Sequence, residues 1–265
     1  MHLRYHPMVT KIGIVIPTAF NRPEYLPLAF KSVQNQQGDF DLELLVGCPI
    51  EKLLAVQQAL PTNAKVIAES EEAGLAKKLD LLLRELASDC DLIGWLGDDD
   101  LLTPGSLAAS VQEFEKDKSL VMTYGGCDYI DAEGRVLFTN SSGAWASKIL
   151  RFGPQLIPQP GSLMRRSAFL NTTGLSNEFE LAFDFDLFLQ LKNQGKFGYL
   201  NKILAQFRWH PNSLSVKRRM RSAVEASRVR RKHYRGAARL LWWLWEPFVI
   251  LATWFAGKLV SLRTK

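Results

Sequence analysis

Between residues 12 and 130, short apolar β-branched runs alternate with amphipathic stretches, and that rhythm leaves little choice of architecture. IGIVIP (12–17), DLELLVGC (41–48), KVIAES (65–70), DLIGWLG (91–97) and LVMTYGGCDYI (120–130) read as strands. The stretches between them, 23–37, 51–60, 73–87 and 104–117, read as helices. Leu26, Ala29, Phe30 and Val33 show the helical spacing, and Pro23 suits a first turn. Strands joined by helices of this length imply an α/β fold, with a mostly parallel sheet covered on both faces. After residue 131, Gly134, Gly143, Gly153, Pro154, Pro158 and Pro160 loosen the pattern. A helix is expected again over 183–194 and strand over 196–210.

Ligands of such sheets bind beyond the carboxyl ends of the strands. The fourth predicted strand ends there in Gly97 followed by Asp98, Asp99 and Asp100. Adjacent carboxylates raise one another's pKa values unless a positive partner lies among them. A solvated acidic loop and a cation-binding rim both meet that requirement, so the rest of the chain has to decide between them.

Four stretches, in order over residues 11–216, resemble the family 2 glycosyltransferases, which have the GT-A fold. They are VIPTAFNRPEYLPLAFKSVQNQ (15–36), GLAKKLDLLL ahead of DLIGWLGDDDLLTPGSL, IPQPGSLMRRSAFLNTTGLSNEFELAFDFDLFLQL (157–191) and FRWHPNSLS (207–215). The chain departs from the family pattern at named positions. Gly47 and Cys48 stand where an aspartate usually holds the nucleobase, and Gly97 at the first position of an Asp-x-Asp-Asp motif. Asp80 stands where an asparagine is common, and Gln190 where an arginine is.

The resemblance implies a nucleotide-sugar donor held by Pro17, Thr18, Phe20, Asn21, Arg22, Asp98, Asp99 and Arg208. It also implies Mg²⁺ or Mn²⁺, with ligands drawn from Asp98, Asp99, Asp100 and His210. Such hard cations take carboxylate and phosphate oxygens and offset charge on a diphosphate leaving group. Asp99 is the ligand by alignment; reading Asp98-x-Asp100 as the motif makes it Asp100 instead. Asp184 is the implied general base that takes the acceptor hydroxyl's proton in an inverting single displacement. Taken without the resemblance, Asp184 could equally cap a helix or complement its dipole. Asp186, two residues on, points elsewhere on a helix and reads as a supporting or capping group.

Charge divides the chain near residue 216. Residues 1–216 carry 20 Lys/Arg and 25 Asp/Glu, whereas 217–265 carry 13 and 2. The expected organisation is a GT-A catalytic domain over 1–216 and a basic, Trp-rich, membrane-associating helical segment over 217–265. LLWWLWEPFVILATWFA (240–256) is short for a span of about 20 residues, and Glu246 and Pro247 interrupt it. Trp242, Trp243, Trp245 and Trp254 suit a headgroup region, and the basic run an anionic leaflet. A helix packed on the catalytic domain, or a homodimer contact, is the other reading of this tail. Four tryptophans among aliphatics have no use for nucleic acid.

Cys48, Cys90 and Cys127 are odd in number and unspaced, against a disulfide framework or zinc site. The first residues contain no apolar signal segment. Together these features place the chain at the cytoplasmic side of the cell membrane, peripheral or monotopic. The expected activity is inverting, metal-dependent sugar transfer to a glycan or lipid-linked glycan in cell-surface polysaccharide or lipopolysaccharide assembly. The rival is a non-catalytic GT-A relative that binds nucleotide sugar or glycan and scaffolds a membrane complex. TAFNRPEY lacks the Gly-rich loop of a nucleotidyltransferase, and neither GxGxxG nor a P-loop occurs.

Overall fold

The structure, a computed structural model, describes residues 9–69, 74–86, 88–209 and 219–263. The alternating half contains β1 (Thr10–Pro17), α1 (Leu26–Gln34), β2 (Phe40–Pro49), α2 (Leu53–Ala59), β3 (Lys65–Glu69), α3 (Leu75–Glu85), β4 (Leu92–Trp95), β5 (Leu101–Leu102), α4 (Ser106–Lys116) and β6 (Leu120–Ile130). Then come β7 (Val136–Asn140), α5 (Ala146–Ile149), β8 (Leu163–Arg165), α6 (Arg166–Leu170), α7 (Phe183–Lys192) and β9 (Lys196–Arg208). The tail holds α8 (Arg219–His233), α9 (Ala237–Leu241) and α10 (Glu246–Arg263).

These strands form one sheet in the order β3-β2-β1-β4-β8-β6-β9-β5, with β7 beside β6. The expected parallel pairing holds across β3, β2, β1 and β4. Beyond β4 the sheet is mixed. β6 and β9 run parallel, but β4–β8, β6–β8, β6–β7 and β5–β9 are antiparallel. The antiparallel strands are two to five residues long and lie among loops, so they offer too few alternations to read from a sequence.

β1 shows why both faces are covered. Ile12, Ile14 and Ile16 enter one core with Leu26, Phe30, Val56, Val111 and Phe114. Val15 enters the other, with Leu79, Leu83, Ile93, Phe185 and Phe188. Alternate side chains of one strand therefore feed opposite layers, which only a sheet sandwiched by helices can satisfy. Chain order reverses between β1 and β4, since β2 lies on the far side of β1. The loops leaving β1 and β4 open a crevice at that reversal, where ligands of open α/β sheets sit. α1 starts at Leu26 rather than Pro23, because 20–25 form a turn directed towards this crevice.

The tail is built into the second core. Ala226 and Val229 of α8 belong to the same apolar cluster as Phe185 and Leu189. Arg230 is fully buried against Glu246, itself fully buried at the start of α10, and also donates to the Gly153 carbonyl at 3.2 Å. Tyr234 Oη donates to the other Glu246 oxygen at 2.8 Å. Lys232 and His233 reach the buried Asp186 of α7 at 3.4 and 2.7 Å. Burial alone would raise the Asp186 pKa; His233 and Lys232 outweigh it and hold the carboxyl below its ordinary value. Much of the charge that the sequence assigned to a membrane surface is thus engaged inside the fold.

Glu246→Ala strands a buried guanidinium and should cost about 3–5 kcal/mol in urea denaturation. The double change Arg230→Met with Glu246→Leu should recover most of that loss.

Candidate active site

The acidic run turns sharply at the crevice, and three distant segments hold it. Thr18, just past β1, donates its hydroxyl to Asp98 and accepts the Phe20 N–H at 2.9 Å. Phe20 sits at φ 53°, a left-handed conformation uncommon for a large side chain. Arg22 lies 2.7 Å from Asp99. The Arg208 backbone N–H donates to Asp100 at 3.0 Å, and its guanidinium donates to the carbonyls of Asp99, Asp131 and Ala132 at 2.8–3.0 Å. That guanidinium also lies 4.4 Å from the centre of the Tyr25 ring, within cation–π range. Arg208 is almost entirely buried, so in this structure it organises the turn from beneath.

Burial raises the Asp98 pKa, with Asp99 adding to it and the Thr18 bond opposing. Asp100 is held well above the ordinary range by burial first and by Asp99 second. Both carboxyls therefore lack a sufficient positive partner. Gly97 explains how they approach. A Cβ there would stand 2.7 Å from Asp100 Oδ2 and 3.2 Å from Asp99 Oδ1, so the missing side chain leaves a small acidic cradle. Among the described residues no group of three His, Cys, Asp or Glu side chains gathers as a complete metal cage. Two carboxylates with substrate phosphates suit a divalent cation of the Mg²⁺ type, so Asp99 and Asp100 fit that group. His210, the other expected ligand, lies outside the described residues. Pro17 ends β1 opposite Gly47, and Asn21 is exposed at the rim.

Asp184 is the second residue of α7 and is half-buried. Gln155 donates to its Oδ2 at 2.8 Å, and the Phe185 N–H to its Oδ1 at 2.8 Å. Burial still leaves its pKa raised, against the lowering effect of both bonds. Tyr129 of β6 is half-buried. Burial is the main cause that pushes its phenol up, and Asp100 and Asp184 both add to it. Phe138, Phe207 and Trp209 surround this ring at centroid distances of 4.2, 5.1 and 6.3 Å. Lys78 is mostly buried against Glu69. Asp80 also turns inward, accepting from Leu175 N–H at 3.0 Å and pairing with Arg84.

Sequence reasoning missed Gln155 and Glu69. Gln155 lies in a Pro-rich loop with no period to mark it. Glu69 ends an apolar strand in an acid, the same signature that drew attention to Asp98–Asp100. Its Oε2 is 3.6 Å from Lys78, while its buried Oε1 has no hydrogen-bond partner among the described residues. Burial raises its pKa, and Lys78 opposes the rise. Oε1 lies 2.6 Å from where a Cβ of Gly47 would stand, so the carboxylate occupies room that glycine leaves.

This geometry matches the sequence relationships. The family profile described as Glycosyl transferase family 2 matches residues 14–170. The chain belongs to that family. It carries a glycosyltransferase domain with the GT-A fold. Hyaluronan synthase of Pasteurella multocida is 27% identical over 221 residues, 82% of this chain and 22% of that protein. A chondroitin synthase of Escherichia coli is 26% identical over 214 residues, 79% of this chain and 30% of that protein. The chain thus spans under a third of the length of these relatives. Among solved structures, the mannosyltransferase PcManGT from Pyrobaculum calidifontis, in complex with GDP-Man and Mn²⁺, superposes with a TM-score of 0.63 at 14% identity, covering 96% of this chain and 75% of that one. S. aureus TarS 1-349 with UDP-GlcNAc gives 0.57 at 16% identity, over 84% and 71%. At these identities the likeness concerns the fold.

An imide N–H, such as uracil or guanine presents, would satisfy Glu69 Oε1; adenine and cytosine offer an acceptor at the matching ring nitrogen. UDP or GDP should therefore bind about tenfold more tightly than ADP or CDP, consistent with a charge-assisted hydrogen bond. Glu69→Gln should flatten that order in calorimetry. An unchanged order would remove Glu69 from base recognition.

Proposed function

We propose that the protein transfers a sugar from a nucleotide-sugar donor to a glycan hydroxyl by single displacement, with inversion at the anomeric carbon. The observation that carries this reading is Asp184. It is a half-buried carboxylate in the first turn of α7, oriented by Gln155. The similarity to a hyaluronan synthase and a chondroitin synthase supports a polysaccharide acceptor.

Thr18 and Arg22 shape the donor side by fixing Asp98 and Asp99 at the crevice. Asp99 and Asp100 would hold Mg²⁺ or Mn²⁺, which when bound supplies positive charge for the departing diphosphate. On the acceptor side, the hydroxyl oxygen attacks the anomeric carbon and its proton passes to an Asp184 carboxylate oxygen. The bond from the anomeric carbon to phosphate oxygen breaks in the same displacement, and the nucleoside diphosphate leaves with that electron pair. A base of raised pKa suits this role, because it becomes a stronger proton acceptor while still ionised at the working pH. Gln155 keeps one lone pair of Asp184 occupied and sets the carboxylate plane.

Asp184→Asn should lower kcat by ~10²–10⁴-fold, the range of a lost general base, and leave donor binding intact. Undiminished transfer in this variant would remove Asp184 as the base. Asp184 works as the carboxylate, so activity should fall as pH drops through its raised pKa. The Gln155 bond lowers that pKa. Gln155→Ala should therefore move the acid limb of kcat/KM to higher pH; a fixed or downward-moving limb would contradict the assignment.

A further inference from the structure

The tail's outer face remains unexplained by its docking. Leu240 is 75% exposed, Trp243 59%, Phe248 71%, Leu251 59% and Phe255 55%. Isolated exposed apolar residues are ordinary, but a continuous set of this size along α9 and α10 marks an interaction surface. On the inner flank of this face, Trp245, Phe248, Val249 and Ala252 form an apolar groove of about 590 Å³ with Phe152 and Pro154. On its other flank, Arg228, Arg231, Lys232 and Arg239 surround Trp242 in a cleft of about 370 Å³ whose only acid is Glu178. Arg231 lies 4.0 Å over the Trp242 ring. Among the described residues no helix is long and apolar enough to cross a membrane.

We propose that α9 and α10 lie in the boundary between headgroups and acyl chains of an anionic bilayer, and that the acceptor is a lipid-anchored glycan drawn from that bilayer. Two observations select a bilayer over a second copy of the chain. Arginines beside tryptophans complement anionic headgroups, with aromatic rings at the depth where they settle. Pairing the same face between two copies would instead bring together two clefts that each set Arg228, Arg231, Lys232 and Arg239 against Glu178. The burial of Arg230 against Glu246 and the pairing of Lys232 and His233 with Asp186 make apolar insertion the main source of affinity, with the remaining arginines selecting lipid charge.

The acceptor class follows from continuity with the active site, and it rests on the glycosyltransferase reading above. Phe152 and Pro154 wall the groove, Arg230 holds Gly153 between them, and Gln155 is the residue that donates to Asp184. One short loop thus joins the lipid-facing groove to the base. A hydrocarbon chain in the groove would deliver the glycan it carries to the same loop.

The test uses the full chain, with Leu240→Glu and Leu251→Glu combined; both side chains are exposed, outside the groove and outside the active site. Co-sedimentation compares phosphatidylcholine vesicles with phosphatidylcholine–phosphatidylglycerol vesicles. Activity is followed as donor hydrolysis, as transfer to a polyprenyl-diphosphate glycan in those vesicles, and as transfer to the same glycan free in solution. Wild type should bind the mixed vesicles more strongly, and the double variant should lose more than about tenfold of that binding, as removing two buried leucines implies. Transfer in vesicles should fall in parallel, while donor hydrolysis stays at the wild-type level. Undiminished vesicle binding in the variant, or a concentration-dependent dimer that the variant abolishes in light scattering, would overturn the bilayer proposal. Equal transfer to free and vesicle-borne glycan by wild type would overturn the acceptor class. Loss of donor hydrolysis in the wild type across nucleotide sugars would instead strike at the enzyme reading and leave the vesicle result standing.

Discussion

The structure turns on how three consecutive carboxylates are held at the rim of a parallel sheet. Their mutual repulsion and partial burial would normally push the turn outward into water. Three anchors prevent this: Thr18 from the end of β1, Arg22 from the following turn and Arg208 from the end of β9. Each lies in or follows a strand whose position the sheet already fixes. The acidic turn is therefore a product of tertiary structure and could not persist as an isolated loop. Burial and the neighbouring Asp99 raise the pKa values of both Asp98 and Asp100 despite these anchors.

A second relay runs from the tail to Asp184. Glu246 fixes Arg230, Arg230 fixes the Gly153 carbonyl, and the loop continues to Gln155 and Asp184. Asp186, one turn-face away on α7, is meanwhile clasped by Lys232 and His233 of α8. The two aspartates of α7 thus have separate jobs. One accepts from Gln155 and keeps a raised pKa; the other faces the tail and has a lowered one. Opposite shifts in neighbouring carboxylates follow from what each touches, not from their shared helix.

The alternating half of the fold was legible in the sequence because β1, β4 and β6 are near-continuous apolar runs and α1, α3 and α4 each carry an apolar stripe. The acidic rim was legible for a related reason, since three charges ending a buried run demand an explanation. The mixed half was not. β7 and β8 are too short to show a period, and the loop carrying Gln155 has none. The tail was legible in composition but not in placement. A basic helix reads the same whether its arginines face lipid or a buried glutamate, and only the partner Glu246, sixteen residues beyond Arg230, settles it. Glu69 escaped notice because its significance lies in the space left by Gly47 on a neighbouring strand, a relation created by pairing alone.

The buried Arg230–Glu246 pair also imposes an order on biosynthesis. Neither ion can leave water until α7 and the 152–155 loop exist to receive it, so the tail settles last, onto a domain made earlier by the ribosome. Before that moment the nascent protein has neither the packed tail nor the finished setting of Asp184. Maturation of the two would then be a single late event.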